Sequence, residues 1–136
     1  MRPLDAWARA ELQQLIAQVT KAYDNYEFHR AYHRLYDFCV VRMSALYFDI
    51  LKDRLYTSPQ GSLARRSAQT AMYRILDALT RMVAPVLSFT AEEIWGFLPG
   101  EKPESVHLAP FPSFASSLFD KELEAKYDLL LEMRTS

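Results

Sequence analysis

Cysteine and glycine are scarce, with one and three respectively among 136 residues. A single thiol excludes an internal disulfide. Cys39, set between Phe38 and Val40, is expected to be a buried, inert thiol with nothing nearby to lower its pKa. Three glycines leave no room for a Gly-rich phosphate loop. No apolar run approaches the roughly 20 residues a membrane-spanning helix needs. Met1-Arg2-Pro3 leads straight into a charged amphipathic segment rather than a signal peptide, so a cytoplasmic chain without membrane attachment is expected. Spacing suggests no Ser-His-Asp or Cys-His arrangement. His29 and His33 stand one helical turn apart, but they enclose Arg30-Ala31-Tyr32 without the glutamate of a zinc-protease helix, and no third ligand is evident. The pair reads as a polar helix face, and neither metal nor catalytic residues are expected.

What is present is helical periodicity. The length suits one domain with a single core. A first helix is expected from an N-cap at Asp5 to about Asp24, with Ala8, Leu12, Leu15, Val19 and Ala22 as its apolar stripe. A second runs from Glu27 or Phe28 to Leu55, about 40 Å long at 1.5 Å per residue, turning Phe28, Tyr32, Leu35, Cys39, Leu46 and Ile50 inward. Thr57-Ser58-Pro59-Gln60-Gly61-Ser62 stops it and reverses the chain. A third helix, Leu63 to Ala84, carries the seam Ala68, Met72, Ile75, Leu79, Met82, and the spacing reaches Val86 beyond Pro85. Thr90-Ala91-Glu92-Glu93 reads as a capping box opening a short fourth helix to Phe97, which also accounts for the two glutamates without catalysis. Pro99-Gly100 closes it. The Pro-rich stretch 101–117 is expected to cross the bundle in extended form, tacked down by Val106, Leu108, Phe111 and Phe114, before a last helix from Asp120 to Arg134 with Leu123, Tyr127, Leu130 and Leu131 on one face. Trp7 and Trp95 read as core anchors. The fold class is all-α: an antiparallel helical bundle with a short fourth helix, a crossing segment and a C-terminal helix.

The net charge of −1 hides an asymmetry. Between Phe28 and Thr90 nine basic residues face four acidic ones, so the middle is +5 and the flanks are −6. Such a field can meet phosphates, although mixed solvated helix faces explain it equally well. Lys52 and Arg54 end the second helix, where cations complement the helix dipole. Arg65 and Arg66 fall in the first turn of the third, where the dipole opposes them, and either a ligand or a carboxylate such as Asp53 would account for their place. Antiparallel packing brings all four cations to one end of the bundle, with Tyr56 among them.

Several strings carry a family resemblance. Leu4-Asp5-Ala6-Trp7 opens the chain; Phe38-Cys39-Val40-Val41 runs on to Lys52-Asp53-Arg54-Leu55-Tyr56; Ser62-Leu63-Ala64-Arg65-Arg66-Ser67, Ala84-Pro85-Val86-Leu87-Ser88-Phe89-Thr90-Ala91-Glu92-Glu93-Ile94-Trp95 and Ser105-Val106-His107-Leu108 follow. In that order, over nearly the whole chain, they resemble the anticodon-binding domain of bacterial isoleucyl-tRNA synthetases, class I enzymes. The string ending Glu-Glu-Ile-Trp is shared with valyl and other class I enzymes, whereas Lys52 to Tyr56 points to the isoleucyl branch. Arg42 departs from the family's usual Asp, and Met43 from its Leu.

The resemblance implies a domain that grips the anticodon stem-loop of an isoleucine tRNA, with Lys52, Arg54, Tyr56, Arg65 and Arg66 as the RNA-binding set. Residues 1–118 would be the bundle, and 119–136 the start of the parent's C-terminal region. The His-x-Gly-His and Lys-Met-Ser-Lys-Ser strings by which these enzymes bind ATP do not occur. The chain by itself would therefore be inactive and need no cofactor, while the parent would use ATP and Mg to ligate isoleucine to tRNA. Its partners would be that tRNA and the parent's catalytic and C-terminal regions, with the chain a monomer. Two other readings stay open: the equivalent valyl domain, or a free-standing helical module that binds protein helices through an apolar groove.

Overall fold

The computed structural model describes residues 3–113 and 121–135. The elements in chain order are α1 (Pro3–Asp24), α2 (Phe28–Asp37), a π-helical segment (Phe38–Tyr47), α3 (Phe48–Thr57), α4 (Leu63–Val83), α5 (Ser88–Phe97), a 3₁₀ turn (Val106–Leu108) and α6 (Lys121–Thr135). The all-α bundle expected from periodicity is what forms.

The first helix is more than an amphipathic edge. Its buried positions include Leu4, Trp7, Ala8, Ala10, Leu12, Leu15, Ile16 and Val19, which wrap around most of the cylinder. It packs on α2, the π segment, α4 and α6 and is the axis of the bundle; a helix apolar on most sides belongs inside. Asp5 lies within α1 rather than capping it. It is fully buried, its Oδ1 accepting from the Tyr47 hydroxyl at 2.7 Å and its Oδ2 from the Ser67 hydroxyl at 2.6 Å. One carboxylate thus ties the start of α1 to the end of the π segment and the start of α4. Trp7 is wholly buried and stacks on Tyr127 of α6 at 5.4 Å.

At its other end α1 stops in a Schellman-type turn. Tyr26 takes a left-handed φ of +58°, its N–H reaching the Tyr23 carbonyl and that of Glu27 the Ala22 carbonyl at 2.8 Å.

The long second helix is continuous in space but not in kind. Its buried positions are Ala31, Leu35 and Phe38, then Met43, Tyr47 and Leu51. The step from Phe38 to Met43 is five residues, one more than an α turn carries, and Phe48 N–H bonds to the Met43 carbonyl across the five-residue span of a π-type hydrogen bond. The inserted residue rotates the core face by one position. Ile50, expected inside, is therefore exposed in favour of Leu51. Cys39, also expected inside, is exposed and Phe28 and Tyr32 half exposed for another reason, since ahead of the insertion the inward line already runs through Ala31, Leu35 and Phe38. The side chain of Leu46 lies outside the described residues. Cys39 is not a buried thiol, although neighbouring protein atoms still push its pKa up by desolvation, in keeping with an inert group.

In α4 the seam through Ala68, Ile75 and Met82 is buried, with Met72 and Leu79 packed against it. Val86, past the helix end, is partly exposed instead. α5 begins at Ser88, and Leu87 at its cap position makes no side-chain bond, so there is no capping box at Thr90. Glu92 accepts from the Ser105 hydroxyl at 2.6 Å and the Val106 N–H at 3.2 Å, with His107 Nε2 3.7 Å away. That carboxylate pins the crossing segment. Trp95, 1% exposed, donates its indole N–H to the Pro103 carbonyl and lies under the Arg81 guanidinium. Val106 is buried and Phe111 packs on Tyr23, but Leu108 points to solvent. Phe114 and the side chains of Leu123 and Leu131 lie outside the described residues; Tyr127 packs inward, and Leu130 is half exposed.

Candidate nucleic-acid interface

The turn between α3 and α4 sits beyond the Asp5 clamp. Gly61 adopts φ +83°, which an L side chain rarely takes, so glycine is required there for backbone reasons: nothing lies within 4 Å of a would-be Cβ. Ser62 caps α4, its Oγ accepting from the Arg65 N–H at 3.3 Å while its carbonyl accepts from the Arg66 N–H at 3.0 Å. The hydroxyl cap and the glycine fix where α4 starts, and hence where Arg65 and Arg66 emerge.

Lys52 is 68% exposed in its side chain, with a loose 3.8 Å pairing to Asp49 that is itself half in solvent, worth little. Tyr56, 84% exposed, stands at the end of α3. Arg66 is exposed, and Arg65 is partly buried with its Nε shielded from solvent and without a hydrogen-bond partner. The first turn of α4 carries no acidic residue, and among the described residues neither arginine has a carboxylate partner. The side chains of Arg54, and of Asp53 as its neighbour, lie outside the described residues. Lys52, Tyr56, Arg65 and Arg66 therefore share the α3–α4 hairpin, three of them facing solvent.

The positive excess of the middle of the chain is partly spent inside the protein. Arg81 pairs with Asp77 and donates to the Pro110 carbonyl, holding the crossing segment. Arg42 meets Asp128 at 3.1 Å and buried Glu11 at 3.8 Å. Arg42 thus fastens α6 to the bundle, a role no spacing in the sequence announced, since its partners stand 31 and 86 positions away. Arg30 is paired with Glu27 at 2.6 Å. His29 and His33 lie on the exposed face of α2, and among the described residues no three His, Cys, Asp or Glu side chains gather in a metal-sized group. Nor is any described helix long and apolar enough to cross a membrane.

An end of a bundle with exposed guanidinium and ammonium groups around an exposed phenol can clamp phosphates and stack a splayed base. Comparison with known proteins identifies the family. Residues 5–136 match the family model described as the anticodon-binding domain of tRNA ligase. The chain is similar to Isoleucine–tRNA ligase of Syntrophotalea carbinolica, 61% identical over 97% of the chain and 14% of that protein. It is likewise similar to Isoleucine–tRNA ligase of Moorella thermoacetica, 52% identical over 98% of the chain and 15% of that protein. The chain thus spans about a seventh of the length of these curated relatives.

Proposed function

The chain belongs to the anticodon-binding domains of tRNA ligases, and from that premise we propose that it grips the anticodon stem-loop of an isoleucine tRNA at the α3–α4 hairpin. The observation that carries this reading is the pair Arg65 and Arg66, without a carboxylate among the described residues and seated in the first turn of a helix whose dipole disfavours them. Lys52 and Arg54 would extend the phosphate clamp, and Tyr56 would stack on a base. The isoleucyl rather than valyl assignment is supported by the relatives, each an Isoleucine–tRNA ligase.

In this reading the chain is one part of a longer ligase that joins isoleucine to tRNA using ATP and Mg, and its share is to position the tRNA rather than to react. The chain itself, a cytoplasmic monomer, needs no cofactor and performs no activation. Residues 1–118 form the bundle, and residues 119–136 open the C-terminal region while docking back through Tyr127 and Asp128. On α6, Leu129, Leu130 and Met133 are about half exposed or more. That face favours a protein neighbour, which the parent's own C-terminal region would supply without a free-standing interaction module.

Titration of the purified chain with the isoleucine anticodon stem-loop at low salt tests the reading. Binding is expected to exceed that of an unrelated hairpin and to weaken on Arg66→Ala, with the log–log salt slope shallower by ~0.7 to 0.9 for each phosphate no longer neutralised. Equal binding of both hairpins by the parent chain and by Arg66→Ala would overturn it.

A further inference from the structure

Away from the hairpin, a polar groove runs between α1 and α2. One cavity of about 300 Å³ is lined by Glu11, Gln14, Gln18, Arg34, Asp37 and Arg42, among others, and a second of about 180 Å³ by Lys21, Glu27 and Arg30 together with the same Gln18 and Arg34. Sharing those two side chains, they form one trough along α1 from Glu11 to Lys21, about 15 Å at the helical rise.

The register of the second helix puts cations on its rim. Arg30, Arg34 and Arg42 each stand one position before a buried residue, Ala31, Leu35 and Met43. Had the helix stayed α past Phe38, the core position would fall near 42 and the rim position near 41, a valine. The five-residue π step moves the core to Met43 and brings Arg42 to the rim. Of the acids in the trough, Glu11 is met by Arg42 and Glu27 by Arg30. What remains uncommitted among the described residues is two exposed cations, Lys21 and Arg34, one exposed acid, Asp37, and the amides of Gln14 and Gln18.

We propose that this trough is a second RNA contact, taking the phosphodiester backbone of the double-helical stem whose loop meets the hairpin; the proposal rests on the anticodon-binding reading. A-form stems are held by their phosphates and 2′-hydroxyls rather than by base identity. Lys21 and Arg34 offer charge to the former, and Gln14 and Gln18 can both donate to and accept from the latter. Asp37 opposes a phosphate there, as the trough's one carboxylate without a paired cation among the described residues; Glu11 and Glu27 are offset by Arg42 and Arg30.

The test uses two probes at low salt, the isoleucine anticodon stem-loop and a single-stranded oligonucleotide of its loop sequence. Arg34→Ala and Lys21→Ala should each weaken the stem-loop severalfold, with a salt slope shallower by ~0.7 to 0.9, and leave the single strand bound as by the parent chain. Asp37→Asn should tighten the stem-loop, a gain that damage to the fold would not produce. Arg66→Ala should weaken both probes. If Arg34→Ala, Lys21→Ala and Asp37→Asn all bind the stem-loop as the parent does while Arg66→Ala loses it, the trough is not a contact although the hairpin assignment stands. If the parent chain binds the stem-loop no better than an unrelated hairpin, the anticodon-binding reading fails and the trough proposal with it.

Discussion

At the scale of single residues, the buried groups decide the most. Asp5 accepts two hydroxyl hydrogen bonds in a site closed to solvent, so Asp5→Ala removes two charge-assisted hydrogen bonds that join three elements. At roughly 1.5 to 3 kcal/mol for a hydrogen bond to a charged group, the substitution is expected to lower stability by about 2 kcal/mol or more in urea unfolding, whereas Asp24→Ala, exposed at the other end of α1, should change it little. Trp95→Ala should cost about 3 to 5 kcal/mol, since the indole is 1% exposed and its N–H holds Pro103. Tyr26 works the other way. It is 81% exposed and sits in left-handed backbone, so Tyr26→Gly is expected to raise stability by about 0.5 to 1 kcal/mol, read as a higher Tm. Cys39 combines a surface position with a thiol pKa pushed up by desolvation. Only the thiolate reacts; alkylation of folded chain should therefore be slower than that of unfolded chain at the same mildly alkaline pH, and should accelerate as pH rises further.

At the scale of elements, the π segment explains why a faultless-looking stripe fails. Phe28, Tyr32, Leu35, Cys39, Leu46 and Ile50 keep α spacing throughout, yet Leu35 is the one member the structure buries outright among those it describes: ahead of the insertion the inward line runs through Ala31, Leu35 and Phe38, and the extra residue before Met43 carries it on to Tyr47 and Leu51 instead of Ile50. A π turn is an insertion into an α-helix, so removing one residue should restore a continuous helix in phase with both ends. Deletion of half-exposed Val40 is expected to leave a cooperatively melting, helical protein. Deletion of exposed Arg74 from α4 should not, because it rotates Ile75, Ala78 and Met82 about 100° off the core. Circular dichroism melts of the two variants compare them directly; equal loss in both would mean the π segment is not a removable insertion.

At the scale of the whole molecule, the α3–α4 end presents Arg65 and Arg66 without a carboxylate among the described residues, while Arg42, Arg81 and Glu92 fasten the other elements together. The purified chain should catalyse no isoleucine-dependent pyrophosphate exchange above background, since the strings that hold ATP in the class I enzymes it resembles do not occur among its 136 residues. The helices, their approximate ends, the Gly61 turn, the buried indoles and the family were all legible in the sequence, because periodicity, breakers and local strings are properties of neighbours along the chain. Lys52, Tyr56, Arg65 and Arg66 could be gathered at one end for the same reason: a hairpin is a local structure. The position of α1 as the axis, the clamp of Asp5 on Tyr47 and Ser67, the hold of Glu92 on the crossing segment and that of Arg42 on α6 were decided only by tertiary packing. Each joins groups remote in sequence, and a lone Asp, Glu or Arg in a periodic helix looks solvated until the fold shows which neighbour has displaced the water.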